Sequence, residues 1–123
     1  MRRRALLGGL AGAALVRCGG KAPPAPVSVP LSRLAVGERL QVLVKDEPVE
    51  VLRSEAGVVA RSMLCTHFGC GVAWKPDLEQ YACACHEGRF NTEGRPVAGP
   101  PTLPLRTLAA RIEGDQVLIE VPP

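Results

Sequence analysis

Cys65-Thr66-His67-Phe68-Gly69-Cys70 and, farther along, Cys83-Ala84-Cys85-His86-Glu87-Gly88-Arg89-Phe90 decide how the rest of this chain is read. Together they hold four of the five cysteines and both histidines of the 123 residues. Each histidine stands close to cysteines in a short, turn-rich segment, so the two segments repeat one chemistry. Thiolate and imidazole are soft ligands that suit zinc, copper or iron–sulfur sites, whereas magnesium and calcium demand oxygen.

Outward from these boxes the pattern is one of short strands. Leu40, Val42 and Val44 alternate with Arg39, Gln41 and Leu43 in Glu38 to Lys45, the period of a strand with one apolar face. Asp46-Glu47-Pro48 reads as a turn into a second strand to Ser54, with Val49 and Val51 on one side. Glu55-Ala56-Gly57 turns into a third, Val58 to Met63. Between the boxes, Val72 to Lys75 and Gln80 to Cys83 form a hairpin about Pro76-Asp77, delivering the chain from one box to the other. Leu105 to Glu113 and Gln116 to Val121 make a terminal hairpin about Gly114-Asp115. With 13 glycines and 12 prolines, and no convincing helical period, the expectation is an all-β antiparallel sandwich or barrel. A core this small is often supported by a metal or a disulfide.

The N-terminus is of a different kind. Residues 1–18 read as an export signal: Arg2, Arg3 and Arg4 precede an apolar run from Ala5 to Val16. The run is short for a membrane span, which needs about 20 residues. The arginines resemble a twin-arginine signal. Cys18 ends the run where a lipoprotein signal places its acylated cysteine, and is a lipidation candidate. Residues 19–30 are proline-rich and read as an extended linker, leaving 31–123 as the domain. The formal charge of +3 owes its sign to this leader. Removing Arg2, Arg3, Arg4 and Arg17 from the 15 basic residues leaves 11 against 12 acidic ones. That balance, with few aromatics, gives no basic face for nucleic acid.

Cys65, His67, Cys83 and His86 would suit tetrahedral zinc as a Cys₂His₂ set. The spacings C-x-H and C-x-x-H are unusual for zinc fingers, and zinc gives Cys70 and Cys85 no task.

The two boxes resemble those of Rieske [2Fe–2S] proteins, C-x-H-x-x-C and C-x-x-H with an inner cysteine. The likeness continues through Gly88 and Phe90 into Gly99-Pro100-Pro101, which is similar to the family's proline loop. It implies a Rieske-type β fold with a small cluster-binding subdomain and one [2Fe–2S] cluster. Cys65 and Cys83 would bind one iron, His67 and His86 the other, and Cys70 and Cys85 would pair as a disulfide bracing the loops. In such a site two ferric ions, two sulfides and two thiolates cancel when the imidazoles are neutral. Four thiolates leave a double negative charge that resists reduction, so histidine ligation raises the potential, into a range of about −150 to +300 mV. An imidazole also keeps a second nitrogen whose proton can be lost on oxidation.

Where high-potential members carry hydroxyl donors, a serine and a tyrosine, this chain has Gly88 and Phe90, and Glu87 adds negative charge nearby. Donors stabilise the reduced cluster, so all three residues are expected to tune the potential downward. Trp74 and Tyr81 read as packing residues, and Lys75, Arg89 and Arg95 as solvated charges.

No nucleophile–base pair stands apart from the metal ligands, so an electron-transfer subunit is expected rather than a catalyst alone. The implied role is the Rieske subunit of a cytochrome bc-type quinol oxidoreductase. It would lie on the outer face of the cytoplasmic membrane or in the periplasm, attached to the membrane surface through the signal or a lipid. Its partners would be a quinol-oxidising cytochrome b-type subunit and a c-type cytochrome or cupredoxin. The alternatives are a small subunit or free carrier of a periplasmic oxidase such as arsenite oxidase, a dioxygenase ferredoxin, or a structural zinc module. Dioxygenase ferredoxins normally lack a counterpart of the Cys70/Cys85 pair.

Overall fold

A computed structural model describes Gly12 and residues 22–123. The stretch expected to be an export signal, Gly12 apart, and Cys18 lie outside the described residues. Eleven strands and one 3-10 turn, Leu31–Arg33, make an all-β structure of three antiparallel sheets. In chain order the strands are β1 (Val27–Pro30), β2 (Arg39–Val44), β3 (Glu47–Ser54), β4 (Gly57–Ser62), β5 (Val72–Lys75), β6 (Gln80–Cys83), β7 (Arg89–Phe90), β8 (Pro96–Ala98), β9 (Thr107–Leu108), β10 (Ala110–Glu113) and β11 (Gln116–Ile119).

The middle sheet runs β2-β3-β4-β9. Its alternation sends Val44, Val49, Val51, Ala60 and Leu108 to one face, where they meet Leu34 and, from the sheet β1-β11-β10, Val29, Val117 and Ile119. Each fully buried valine there contributes about 1.5–3 kcal/mol. The opposite face is also covered. It presents Glu50 and Arg61, both buried, and the half-buried Arg39 toward Tyr81 of the third sheet, β5-β6-β7-β8. That sheet keeps an inner row of Trp74, Tyr81, Phe90 and Pro96 in register across its four strands. With Met63, Cys65, Val72, Cys83 and Leu105, its buried members form a second core directly under the two boxes.

Three expectations need correction. The proline-rich stretch is not linker to its end: Val27–Pro30 is β1, paired with β11 from Val27↔Ile119 to Pro30↔Gln116. Apolar side chains at Val27 and Val29 outweigh the reluctance of Pro30 to join a ladder, because β1 is an edge strand. Leu105 to Glu113 is not one strand either. It breaks at Ala109, so that β9 pairs with β4 and β10 with β11, and Leu105 drops into the second core. The first turn is Lys45-Asp46 and not Asp46-Glu47-Pro48. Both turn residues have positive φ (49° and 63°), the geometry of a two-residue hairpin turn, so Glu47 and Pro48 already belong to β3. Strands β7 and β8 were not anticipated, being two and three residues long beside glycine and proline.

Candidate metal centre

β4 leads through Met63 into the first box, β5 and β6 form the intervening hairpin, and β6 ends on Cys83. The loops fold alike. The Cys65 N–H donates to the Cys70 carbonyl at 2.6 Å, and the Cys83 N–H donates to the Gly88 carbonyl at 2.8 Å, a span of five residues in each case. An Ala84 N–H to Gly71 carbonyl bond at 3.3 Å ties the loops together. So does the disulfide between Cys70 and Cys85, whose Cα atoms are 6.1 Å apart.

This folding sorts the remaining four candidate ligands by depth. Cys65 and Cys83 are free thiols, buried side by side. Burial pushes the Cys65 thiol up, reinforced by its neighbour Cys83. At Cys83 the same burial is outweighed by the backbone N–H groups of Cys85 and His86 and by the Cys65 thiol, so its value is lowered. His67 and Phe68 aim two further N–H groups at the Cys65 sulfur. Backbone donors of this kind favour negative charge on sulfur. His67 and His86, by contrast, are exposed, with ring centroids 5.1 Å apart. Phe68 joins them at 4.0 Å from His67 and 5.3 Å from His86.

Among the described residues no three or more His, Cys, Asp or Glu side chains converge on one point. A two-iron cluster needs only two protein ligands on each iron, and a buried thiol pair below an exposed imidazole pair matches that demand. The residues present fit the cluster.

The proline loop closes the second box from above. Pro101 is buried, and a Cβ on Gly88 would lie 2.8 Å from its Cγ. A Cβ on Gly99, at φ +80°, would lie 2.8 Å from the Gly88 Cα. The Thr66 hydroxyl donates to the Leu103 carbonyl at 2.8 Å, pinning the same segment to the first box. Phe90 is fully buried opposite Tyr81, while Glu87 is exposed at φ 53°.

The sequence reading overlooked the joint behind the site. Arg39 Nη1 donates to Glu50 Oε1 and to the Tyr81 hydroxyl, each at 2.8 Å. The Tyr81 hydroxyl donates to Glu50 at 2.6 Å, and Arg61 Nη1 donates to that hydroxyl at 3.4 Å. Burial, then the Glu50 carboxylate, pushes the Tyr81 phenol up, keeping it a neutral donor. Trp74 packs on Tyr81 at 4.9 Å, with the Arg39 guanidinium 3.6 Å over its ring. The available signal was Glu50, a carboxylate in a strand between two valines that both proved buried.

The model of the Rieske [2Fe-2S] domain matches residues 26–109. A cytochrome b6-f complex iron-sulfur subunit from Chlorobaculum thiosulfatiphilum is 34% identical over 105 residues, 79% of this chain and 58% of the relative. The carotenoid phi-ring synthase of Chlorobaculum tepidum is 47% identical over 72 residues, 58% of this chain and 11% of that protein. The chain thus spans well under two thirds of either relative. Among solved structures, the ferredoxin of carbazole 1,9a-dioxygenase from Nocardioides aromaticivorans IC177 superposes with a TM-score of 0.59 at 28% identity, covering 80% of this chain and 100% of that one. Taken with the paired boxes and the disulfide between them, these matches make the chain a member of the Rieske [2Fe–2S] family, an iron–sulfur electron carrier whose domain binds a [2Fe–2S] cluster.

Proposed function

We propose that this chain is the iron–sulfur subunit of a cytochrome bc-type quinol oxidoreductase, with Cys65 and Cys83 on one iron and His67 and His86 on the other. When bound, the cluster supplies a one-electron couple in the range of about −150 to +300 mV open to mixed ligation. The split burial of the four ligands carries this reading. The cysteines sit in a core that excludes water, and the imidazoles stand at the surface where a partner can approach. Each ligating imidazole keeps its second nitrogen for a proton, so charge and proton can leave the same exposed face.

The disulfide and the likeness to the b6-f subunit favour this role over that of an oxygenase ferredoxin. The ferredoxin reading has one observation in its favour, the superposition over the whole of such a chain. The absent hydroxyls at Gly88 and Phe90, with exposed Glu87, support a potential below that of typical ubiquinol-oxidising members. Export to the outer face of the membrane, with or without acylation of Cys18, completes the proposal.

Iron, acid-labile sulfide and zinc analysis of the purified protein, with an electron paramagnetic resonance spectrum after reduction, tests the site. Two irons and two sulfides per chain with a reduced-state signal are expected. One zinc and no signal would overturn it. Stopped-flow oxidation of the reduced protein by a c-type cytochrome tests the role. Fast, salt-sensitive oxidation is expected; slow oxidation by the cytochrome alongside rapid turnover with an oxygenase would favour the ferredoxin.

A further inference from the structure

Arg61 is the one buried cation among the described residues, and it has no carboxylate of its own. Its Nη1 reaches only the Tyr81 hydroxyl, and its Nε–H is buried without a partner. Gly94 covers it so closely that a Cβ there would lie 3.0 Å from Nε. Glu50, the one buried carboxylate among the described residues, is already engaged by Arg39 and by Tyr81. Arg39 thus takes the one buried carboxylate, Arg61 meets only a hydroxyl, and the network keeps an uncompensated positive charge. Burying such a charge is costly, so its position matters.

Arg61 lies four residues before Cys65 along the same run of chain, and Tyr81 lies two residues before Cys83 on β6. In a strand, residues two apart share a face. Tyr81 and Cys83 are both buried with Cys65 and Met63 in the second core. The Arg61–Tyr81 hydrogen bond thus joins the two stretches that deliver the cysteines, and Tyr81 belongs to the same buried apolar core as both cysteines. In such a core Coulomb interactions are stronger than in water at the same distance, and salt screens them less.

We propose that Arg61, held by Tyr81 and not neutralised by Glu50, sets the reduction potential of the cluster upward from behind the cysteine pair. The inference rests on the ligand assignment given above. Reduction adds one electron from the donor and makes the cluster more negative, and net charge is one of the determinants of its potential. Arg61 favours that added charge. It opposes the downward tuning by Glu87, Gly88 and Phe90, and it acts through space as a positioning residue without touching the reacting atoms.

Redox titration of the full-length, iron-loaded protein tests this with Arg61→Met, Arg61→Lys and Glu50→Gln. The midpoint is expected to fall in Arg61→Met, to stay close to the parent value in Arg61→Lys, and to rise in Glu50→Gln. The first shift should change little with added salt. Equal shifts in Met and Lys would mean that shape and not charge matters, and would overturn the proposal. So would an unmoved midpoint in Arg61→Met beside a lowered thermal midpoint. If Arg61→Met does not fold, Glu50→Gln carries the test, because Gln keeps an oxygen for Arg39 and Tyr81; an unchanged or lowered midpoint then overturns it. A parent protein without the reduced-state resonance signal would overturn the ligand assignment itself. An intact signal with unmoved midpoints overturns only the role of Arg61.

Discussion

Gly88 and Pro101 are packed so closely that a Cβ on Gly88 would sit 2.8 Å from the Pro101 Cγ and 3.1 Å from its Cδ. The absence of a hydroxyl at position 88 is therefore a matter of space as well as of tuning. A proline ring cannot swing aside like a lysine tip, so Gly88→Ser forces the proline loop off the second box. The expected cost is about 1–3 kcal/mol, the usual range for overpacking a tight site. Urea unfolding measures it. Adding Pro101→Ala should recover part of the loss, and the double variant should then show a higher reduction potential, because the hydroxyl can donate without displacing the loop. Strict additivity of the two stability changes would mean that the two residues do not meet.

The bond between Cys70 and Cys85 closes a loop of 15 residues that contains the whole β5–β6 hairpin. Chain-entropy reasoning assigns about 3 kcal/mol to a loop of that length. The pair Cys70→Ser and Cys85→Ser should lower the denaturant midpoint accordingly and release iron faster to a chelator, since the covalent tie between the boxes is then lost. Equal chelation rates in parent and variant would show that the backbone bonds suffice.

Glu47 gives the fold a pH dependence of known sign. The Arg106 guanidinium, with the Ser62 hydroxyl also donating, holds its carboxyl below the ordinary value of 4.5 against the opposing effect of burial. A carboxyl with a depressed value in the folded state contributes stability above 4.5 that is lost as pH falls through the folded value. Thermal unfolding of Glu47→Gln should show a protein less stable than the parent at neutral pH and equal to it in strong acid. A constant difference across the range would assign the effect to packing.

The strand pattern was legible wherever one face is buried, as in Leu40, Val42 and Val44, because alternation reports directly on that geometry. It failed where the chain changes sheets. Nothing in Leu105 to Glu113 marks Ala109 as the break, since β9 and β10 both alternate and the switch depends on two different partners. β7 and β8 hold only two and three residues and take their place from Tyr81 and Phe90 packing across the sheet. The candidate ligands stood out because Cys and His at those spacings have few other uses. The division of these candidates into a buried and an exposed pair, and the charge behind them, depend on the third sheet covering the second face of β3 and β4. Composition does not encode that coverage.

Phe68 has the largest fractional exposure, 70%, of the exposed large hydrophobics among the described residues, and it stands against both histidine rings. An aromatic in water adds almost nothing to the stability of the monomer, so Phe68→Ser should change the unfolding free energy by no more than about 0.5 kcal/mol. It meets the buried thiol pair only through its backbone N–H, which serine keeps, so the reduction potential should stay put. Placed beside the exposed imidazoles, however, its ring offers apolar area to any partner that approaches them. A central aromatic in an interface is commonly worth more than 1 kcal/mol. Electron transfer to a c-type cytochrome should accordingly slow by about ten-fold, which corresponds to ~1.4 kcal/mol. Stopped-flow rates at several cytochrome concentrations separate weakened docking from slowed transfer: the second-order limb falls and the saturating rate holds. An unaltered second-order rate at an unaltered potential would move the docking face away from the histidines.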